Sequence, residues 1–276
     1  MFSGKKSFAY WQWRTILGTM FGYALFYFIR KNISVAMPFM EADLGVSKAQ
    51  LGIFLTLHGV VYGFSKLGNG ILGDRSNARV FMVSGLLLAA ACNIVFGLSS
   101  SLLVFGLVWI LNGWFQGMGF PPCARLITHW VPPNELATKM AVWNASHSIG
   151  AALVVVLCGY VAAHLGMDNT GVASWRWCFL IPSAIAIAGA LALWLVIRDT
   201  PSSVGLPELP GTHASNRECG DLSEKRPSVS QIPNLKSQIP PPSAPTPSPD
   251  DFKAFLRKNV FLNPVVWLAG VAMFFV

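Results

Sequence analysis

Tyr23, Tyr27 and Arg30 stand at i, i+4 and i+7, a spacing that on a helix lines two phenols and a guanidinium along one stripe. That stripe suits an oxyanion: a guanidinium offers a planar fork to phosphate or carboxylate, and phenols donate single hydrogen bonds beside it. Lys31 adjoins Arg30, and Lys66 adds a third cation, about two turns from the end of a second apolar stretch, where an ammonium can also snorkel outward. His147 closes the polar turn Trp143-Asn144-Ala145-Ser146-His147, and imidazole is the side chain whose charge changes near neutral pH. His58, with no such company, reads as a hydrogen-bonded packing residue.

These groups sit where charge is costly. Arg30 falls close to the middle of an apolar run, and a cation at that depth costs at least about 2.5–3.5 kcal/mol on insertion scales, so it is expected to face a bundle interior for a functional reason. The competing reading makes Arg30 and Lys31 the end of a helix. No Asp or Glu falls in any of the apolar runs, whereas Arg30, Lys31 and Lys66 lie well inside them. Proton and sodium coupling usually rest on intramembrane carboxylates, so the imbalance argues for an anionic ligand whose own charge neutralises the site. It argues equally against an intramembrane protease or a metalloenzyme, since no nucleophile, acid pair or ligand cluster is spaced for that work, and no cofactor is implied. The five cysteines form no CxxC pair, and four of them lie in apolar runs, so a disulfide framework and a zinc site are not indicated.

The elements that must hold these residues are membrane helices. Of 276 residues, 53% are hydrophobic and only 12% charged, far from the balance of a water-soluble domain. Six runs are long enough to cross a bilayer as helices: residues 16–40, 51–73, 80–98, 102–128, 140–165 and 175–197. The net charge of +8 is spread over short loops rather than gathered on one face, which excludes nucleic acid as a partner. It reads instead as orientation. With a cytoplasmic N-terminus, Lys5, Lys6, Arg14, Arg75, Arg79, Arg125, Lys139, Arg198 and every cation from Arg217 to Lys258 share one side, and only Lys48 and Arg176 fall opposite.

The chain is thus expected to divide into a six-helix transmembrane bundle at 1–198, a Pro- and Ser-rich cytoplasmic linker at 199–258, expected to be disordered, and the start of a seventh helix at 259–276. Eleven of the eighteen prolines fall between Pro201 and Pro249. Such a layout resembles the first part of a two-half transporter cut short. Glycine pairs Gly18/Gly22, Gly59/Gly63 and Gly113/Gly117 allow close helix approach, within the bundle or between copies, the former favoured. Pro121-Pro122 is expected to kink or end the fourth span.

Several stretches carry a family resemblance. The segment from Gly70 to Arg79, GILGDRSNAR, resembles the loop between helices two and three of the major facilitator superfamily. The segments from Gly113 to Arg125 (GWFQGMGFPPCAR), Phe28 to Asn32 (FIRKN) and Tyr62 to Lys66 (YGFSK) are similar to the organophosphate:inorganic phosphate antiporter family within it. The likeness runs from about Trp11 to Pro207. It implies an all-α membrane fold whose six helices form two inverted three-helix repeats, the N-terminal half of a carrier with its substrate near the midplane.

The resemblance also implies roles. Arg30 matches the family's phosphate-binding arginine, with Lys31 beside it; Lys66 matches its second-span lysine and His147 its fifth-span histidine. Tyr23, Tyr27, Gln116 and Trp143 match pocket-lining positions. Phe120 stands where the glycerol-3-phosphate member has tryptophan. A second arginine in the seventh span completes the family's clamp. Asp74, Arg75 and Arg79 would form charge pairs with neighbouring helix ends in a cytoplasmic gate. The implied activity is exchange of a phosphorylated small metabolite (glycerol phosphate, sugar phosphate or phosphoglycerate) for inorganic phosphate in a bacterial inner membrane, completed by a C-terminal half. The rival reading is a sensor of external hexose phosphate that signals to a membrane histidine kinase; Tyr23 to Phe28 and Ser76 to Arg79 look more like the sensor. A lipid scramblase or an adaptor is disfavoured by Arg30.

Overall fold

The computed structural model describes residues 7–164 and 173–209, all within the first of two compact units, which runs from Met1 to Thr212. Among the described residues the regular structure is helical: α1 (Phe8–Phe28), α2 (Asn32–Leu44), α3 (Lys48–Arg75), α4 (Ala78–Leu98), α5 (Leu102–Gln116), α6 (Phe120–Trp130), α7 (Pro133–His164) and α8 (Ser174–Val196), followed by one 3-10 turn at Pro201–Val204. The expected linker and seventh helix lie almost wholly outside the described residues.

Helix ends follow local chemistry. Gly45 ends α2 in the left-handed conformation (φ 64°), where a side chain would be strained, and its N–H returns to Glu41 O. Ser47 opens α3 with a capping box: its Oγ accepts the Gln50 N–H at 3.3 Å while Gln50 Oε1 accepts the Ser47 N–H at 3.0 Å. Asn77 Oδ1 accepts the Val80 N–H at 3.2 Å at the start of α4.

Two expected spans are broken. The run 16–40 is not one helix: α1 ends at Phe28 and α2 begins at Asn32. The run 102–128 is divided at Gly117–Gly119, both glycines keeping right-handed helical backbone, and Pro121 and Pro122 sit in the first turn of α6, where a missing N–H costs nothing. Among the described residues, five stretches are long and apolar enough to cross a membrane: Lys48–Arg75, Ala78–Leu98, Leu102–Trp130, Pro133–His164 and Trp175–Val196. The first expected span is not among them, because the break shortens its helices and Gln12, Arg14 and Thr15 dilute the apolar content of α1. Helices α1 and α7 also start seven or eight residues before the apolar runs. Hydropathy marks the hydrocarbon crossing, whereas the backbone ladder continues into the polar flank.

Three helix pairs dominate the packing: α4 on α8, α1 on α7 and α3 on α5. Each joins one of the first three spans to one of the last three. Gly150 permits the second pair, since a Cβ there would strike the Ala24 backbone, and Gly113 permits the third, where a Cβ would lie 2.8 Å from His58 O. Gly18/Gly22 and Gly113/Gly117 thus serve internal packing; a Cβ added at Gly59 or Gly63 meets nothing within 4 Å among the described residues. One apolar core gathers Phe26, Met82, Leu86, Leu126, Trp143 and Leu193; a second gathers Phe96, Phe105, Trp109, Trp175 and Phe179. Helix α3 buries only a narrow stripe that includes Leu51, His58, Ser65 and Asn69, and leaves Ile53, Phe64, Leu67 and Ile71 exposed.

Candidate functional site

The α1–α7 crossing at Gly150 brings aromatic rings from both helices together. Tyr23 stacks on Trp143 with ring centroids 4.7 Å apart, and one turn along, Tyr27 meets His147 at 5.2 Å. Tyr23 and Tyr27 contact each other edge-on at 5.4 Å. Phe120, the first residue of α6, closes the group against Tyr23 at 6.3 Å and Trp143 at 5.9 Å.

Arg30 sits in the break between α1 and α2, half-buried, with its guanidinium carbon 5.5 Å from the Tyr27 ring and 4.1 Å from that of Tyr62 on α3. Lys66, one turn beyond Tyr62, holds Nζ 4.6 Å from the same ring and 5.9 Å from Phe120. Two cations from different spans therefore share one aromatic ring, an attraction worth about 0.5–2 kcal/mol each. The sequence reading missed Tyr62 as a site residue. Its position four residues before Lys66, on the same helical stripe, is the signal that identifies it.

Among the described residues, none of Arg30, Lys31 and Lys66 makes an ion pair. Four of the described acids are engaged elsewhere: Glu41 with Lys48, Asp43 with the Trp175 indole, Glu135 with Lys139, Asp199 with Arg125. Positive charge gathered among aromatic rings without a counterion can be neutralised by an anionic ligand. His147 donates from Nδ1 to the Asn144 carbonyl, which can only accept, and Nε2 lies 3.3 Å from Ser148 Oγ. In the neutral ring Nε2 is then the acceptor.

Not every expected residue joins the cluster. Gln116 is buried at the end of α5 with Nε2 unpartnered among the described residues, and no described contact ties it or Lys31 to the rings. Trp143 Nε1 is likewise buried and unpartnered, a donor available at the edge of the group. His58, expected as packing, is buried between α3 and α5, its Nδ1 donating to Trp109 O at 3.0 Å.

At the α3–α4 turn the expected charge pairs fall on other residues. Asp74 and Arg75 are exposed and Arg79 lies over the Trp194 ring at 4.5 Å; among the described residues none of the three is in an ion pair. Arg125 instead reaches the carbonyls of Gly73 (3.0 Å), Asp74 (3.2 Å) and Ser76 and pairs with Asp199 at 3.7 Å. Asp199 Oδ1 accepts the Ala78 N–H at 2.9 Å. A helix C-terminus presents unpaired carbonyls, and a guanidinium with five donors satisfies several at once, which a short exposed loop carboxylate cannot.

Apolar helices of spanning length around an unpaired cationic group define an integral, multi-pass membrane protein. Residues 19–276 match the Major Facilitator Superfamily, and the chain belongs to that superfamily. It is 46% identical over 205 residues to a probable hexose phosphate transport protein of Chlamydia muridarum (strain MoPn / Nigg), covering 74% of this chain and 43% of the relative. The Membrane sensor protein UhpC of Escherichia coli (strain K12) is 36% identical over 261 residues, 95% of this chain and 53% of its own. The glycerol-3-phosphate transporter of Bacillus subtilis (strain 168) is 39% identical over 200 residues, 71% and 43% respectively. These relatives match the organophosphate:phosphate antiporter family, and the chain covers its N-terminal half, spanning about half the length of the relatives it matches. In three dimensions it is similar to a bacterial homolog of the human lysosomal transporter Spinster in an inward-facing, occupied conformation, with TM-score 0.63 at 22% identity over 72% of this chain and 46% of that one. The proton:xylose symporter XylE gives TM-score 0.55 at 15% identity over 72% and 47%. At such identities the likeness establishes the fold.

Proposed function

We propose that this chain is the N-terminal half of a carrier that exchanges a phosphorylated small metabolite for inorganic phosphate by alternating access. The observation that carries the reading is the pairing of Arg30 and Lys66 on the Tyr62 ring with no acidic partner among the described residues. A phosphoryl group brings the missing negative charge. Arg30 holds its oxygens with a bidentate fork, Lys66, Lys31 and His147 supplement the charge, and Tyr23, Tyr27 and Gln116 donate hydrogen bonds. Trp143 and Phe120 flank the organic moiety. A C-terminal half supplies the rest of the pocket. Asp74, Arg75 and Arg79 belong to the cytoplasmic gate around the α3–α4 turn, in a bacterial inner membrane with the N-terminus inside.

The test is exchange in proteoliposomes containing the complete protein. Labelled glucose 6-phosphate or glycerol 3-phosphate is expected to enter only vesicles preloaded with phosphate; entry independent of internal phosphate contradicts antiport. One observation favours a second reading, a sensor of external hexose phosphate that signals to a histidine kinase. The similarity to the membrane sensor extends over 95% of this chain, against 74% for the hexose phosphate transport protein. Saturable sugar-phosphate binding with no exchange in vesicles identifies the sensor.

A further inference from the structure

The break that carries Arg30 is held at both edges by side-chain amides. In an unbroken helix the Ile29 carbonyl would accept the Ile33 N–H. Here Ile29 O accepts from Asn93 Nδ2 at 2.8 Å, and the Ile33 N–H donates to Asn32 Oδ1 at 3.0 Å. The two amides are joined, Asn32 Nδ2 donating to Asn93 Oδ1 at 2.8 Å. Asn93 Nδ2 also donates to Ala89 O at 3.1 Å, and Asn32 Nδ2 to Cys178 O at 3.1 Å. Backbone carbonyls only accept, so both amide orientations are fixed. Both residues are fully buried, between α4 and α8 and the start of α2.

An unpaired backbone group costs several kcal/mol in a membrane interior, so a broken span without these amides would revert to the continuous helix or pair elsewhere. Within the break, Arg30 and Lys31 both donate their N–H to Tyr27 O, at 3.2 and 3.0 Å, which tightens the turn that sets the direction of the Arg30 side chain.

We infer that the Asn32–Asn93 pair is a positioning element that keeps the first span open at residues 29–31 and so directs the Arg30 guanidinium to the Tyr62 ring and the ligand. Neither amide touches the rings; both act through the backbone on either side of Arg30. This rests on the phosphate-binding reading given above. A binding group that must meet an oxyanion within a fraction of an ångström needs such support from a rigid neighbour.

The experiment is a double-mutant cycle on inorganic phosphate affinity in the complete protein in detergent, with Asn93→Leu, Arg30→Lys and the pair. Asn93→Leu is expected to raise the phosphate Kd at least tenfold in the Arg30 protein but less than threefold in the Arg30→Lys background, since the amide acts through the guanidinium. Equal effects in both backgrounds overturn the inference, because a merely structural role adds independently. Unchanged affinity in Asn93→Leu alongside weakened Arg30→Lys also overturns it while leaving the phosphate reading intact; unchanged affinity in Arg30→Lys sinks that reading itself. Should Asn93→Leu not fold, Asn32→Ala is measured in its place, with the same tenfold weakening expected and unaltered affinity again decisive against. Asn112→Leu, which removes only a hydrogen bond to Ala89 O, is expected to leave phosphate affinity within threefold.

Discussion

The Arg30 guanidinium carbon lies 4.1 Å from the centroid of the Tyr62 ring, across the gap between the first and second spans. With Lys66 Nζ at 4.6 Å from the same ring, one phenol attracts two cations that repel each other. The ring's negative face holds both head groups at the site before an anion arrives, so that the ligand meets cations already in place.

Removing the ring tests this directly. Tyr62→Leu is expected to weaken phosphate binding about tenfold, following from ~1–2 kcal/mol of lost cation–π attraction. Tyr62→Phe, which keeps the ring face, is expected to stay within about threefold by the same principle. Equal losses in both variants, read by phosphate titration, would place the effect in the hydroxyl instead.

The α1–α7 crossing depends on a missing side chain. Gly150→Ala puts a Cβ against the Ala24 backbone, and such overpacking is expected to cost about 1–3 kcal/mol. Gly59→Ala meets open space among the described residues and is expected to be neutral or stabilising by up to about 1 kcal/mol, from the better helix propensity of alanine. Melting temperatures in detergent check the ordering; a Gly59→Ala protein less stable than Gly150→Ala would show that α1 and α7 do not cross here.

Arg125 ties down the α3–α4 turn by several routes, whereas Asp199 shares only one of them. Asp199→Asn keeps the Oδ1 acceptor for the Ala78 N–H and loses just the ion pair, part-exposed at side-chain accessibilities of 23% and 16%, so the expected cost is about 0–1 kcal/mol. Arg125→Ala also removes the guanidinium donor from the Gly73, Asp74 and Ser76 carbonyls and is expected to cost about 2–4 kcal/mol. Thermal unfolding of the two variants separates the contributions, and equal destabilisation would mean the ion pair alone holds the turn.

Much of this arrangement was legible in the residues because lipid leaves a helix few options. The apolar runs located most of the spans, and the helical spacing of Tyr23 and Tyr27 matches their shared stripe on α1, where they meet Trp143 and His147, whereas Arg30, expected on the same helix, lies past its end at Phe28. What escaped the sequence is long-range. Asn32 and Asn93 meet only when α4 packs beside the start of α2, so the adjacent cations Arg30 and Lys31, which also read as a helix end, are the one local hint of a break; Pro38 lies a turn and more too late. Arg125 read as an orientation charge, because its partners are the carbonyls of a distant helix end and the carboxylate of Asp199. Tyr62 stands in the sequence only as the first residue of the YGFSK segment, because Arg30 reaches its ring from the α1–α2 break, far away along the chain.

The central claim is that Arg30 binds a phosphoryl group with its planar fork. Its most direct test is the affinity of the complete protein for inorganic phosphate before and after Arg30→Lys, a change that keeps the positive charge and removes the fork. Bidentate binding predicts a loss of at least tenfold, the scale of the ~1.5–3 kcal/mol carried by a hydrogen bond to a charged group. An Arg30→Lys protein that binds phosphate as tightly as the parent contradicts the account.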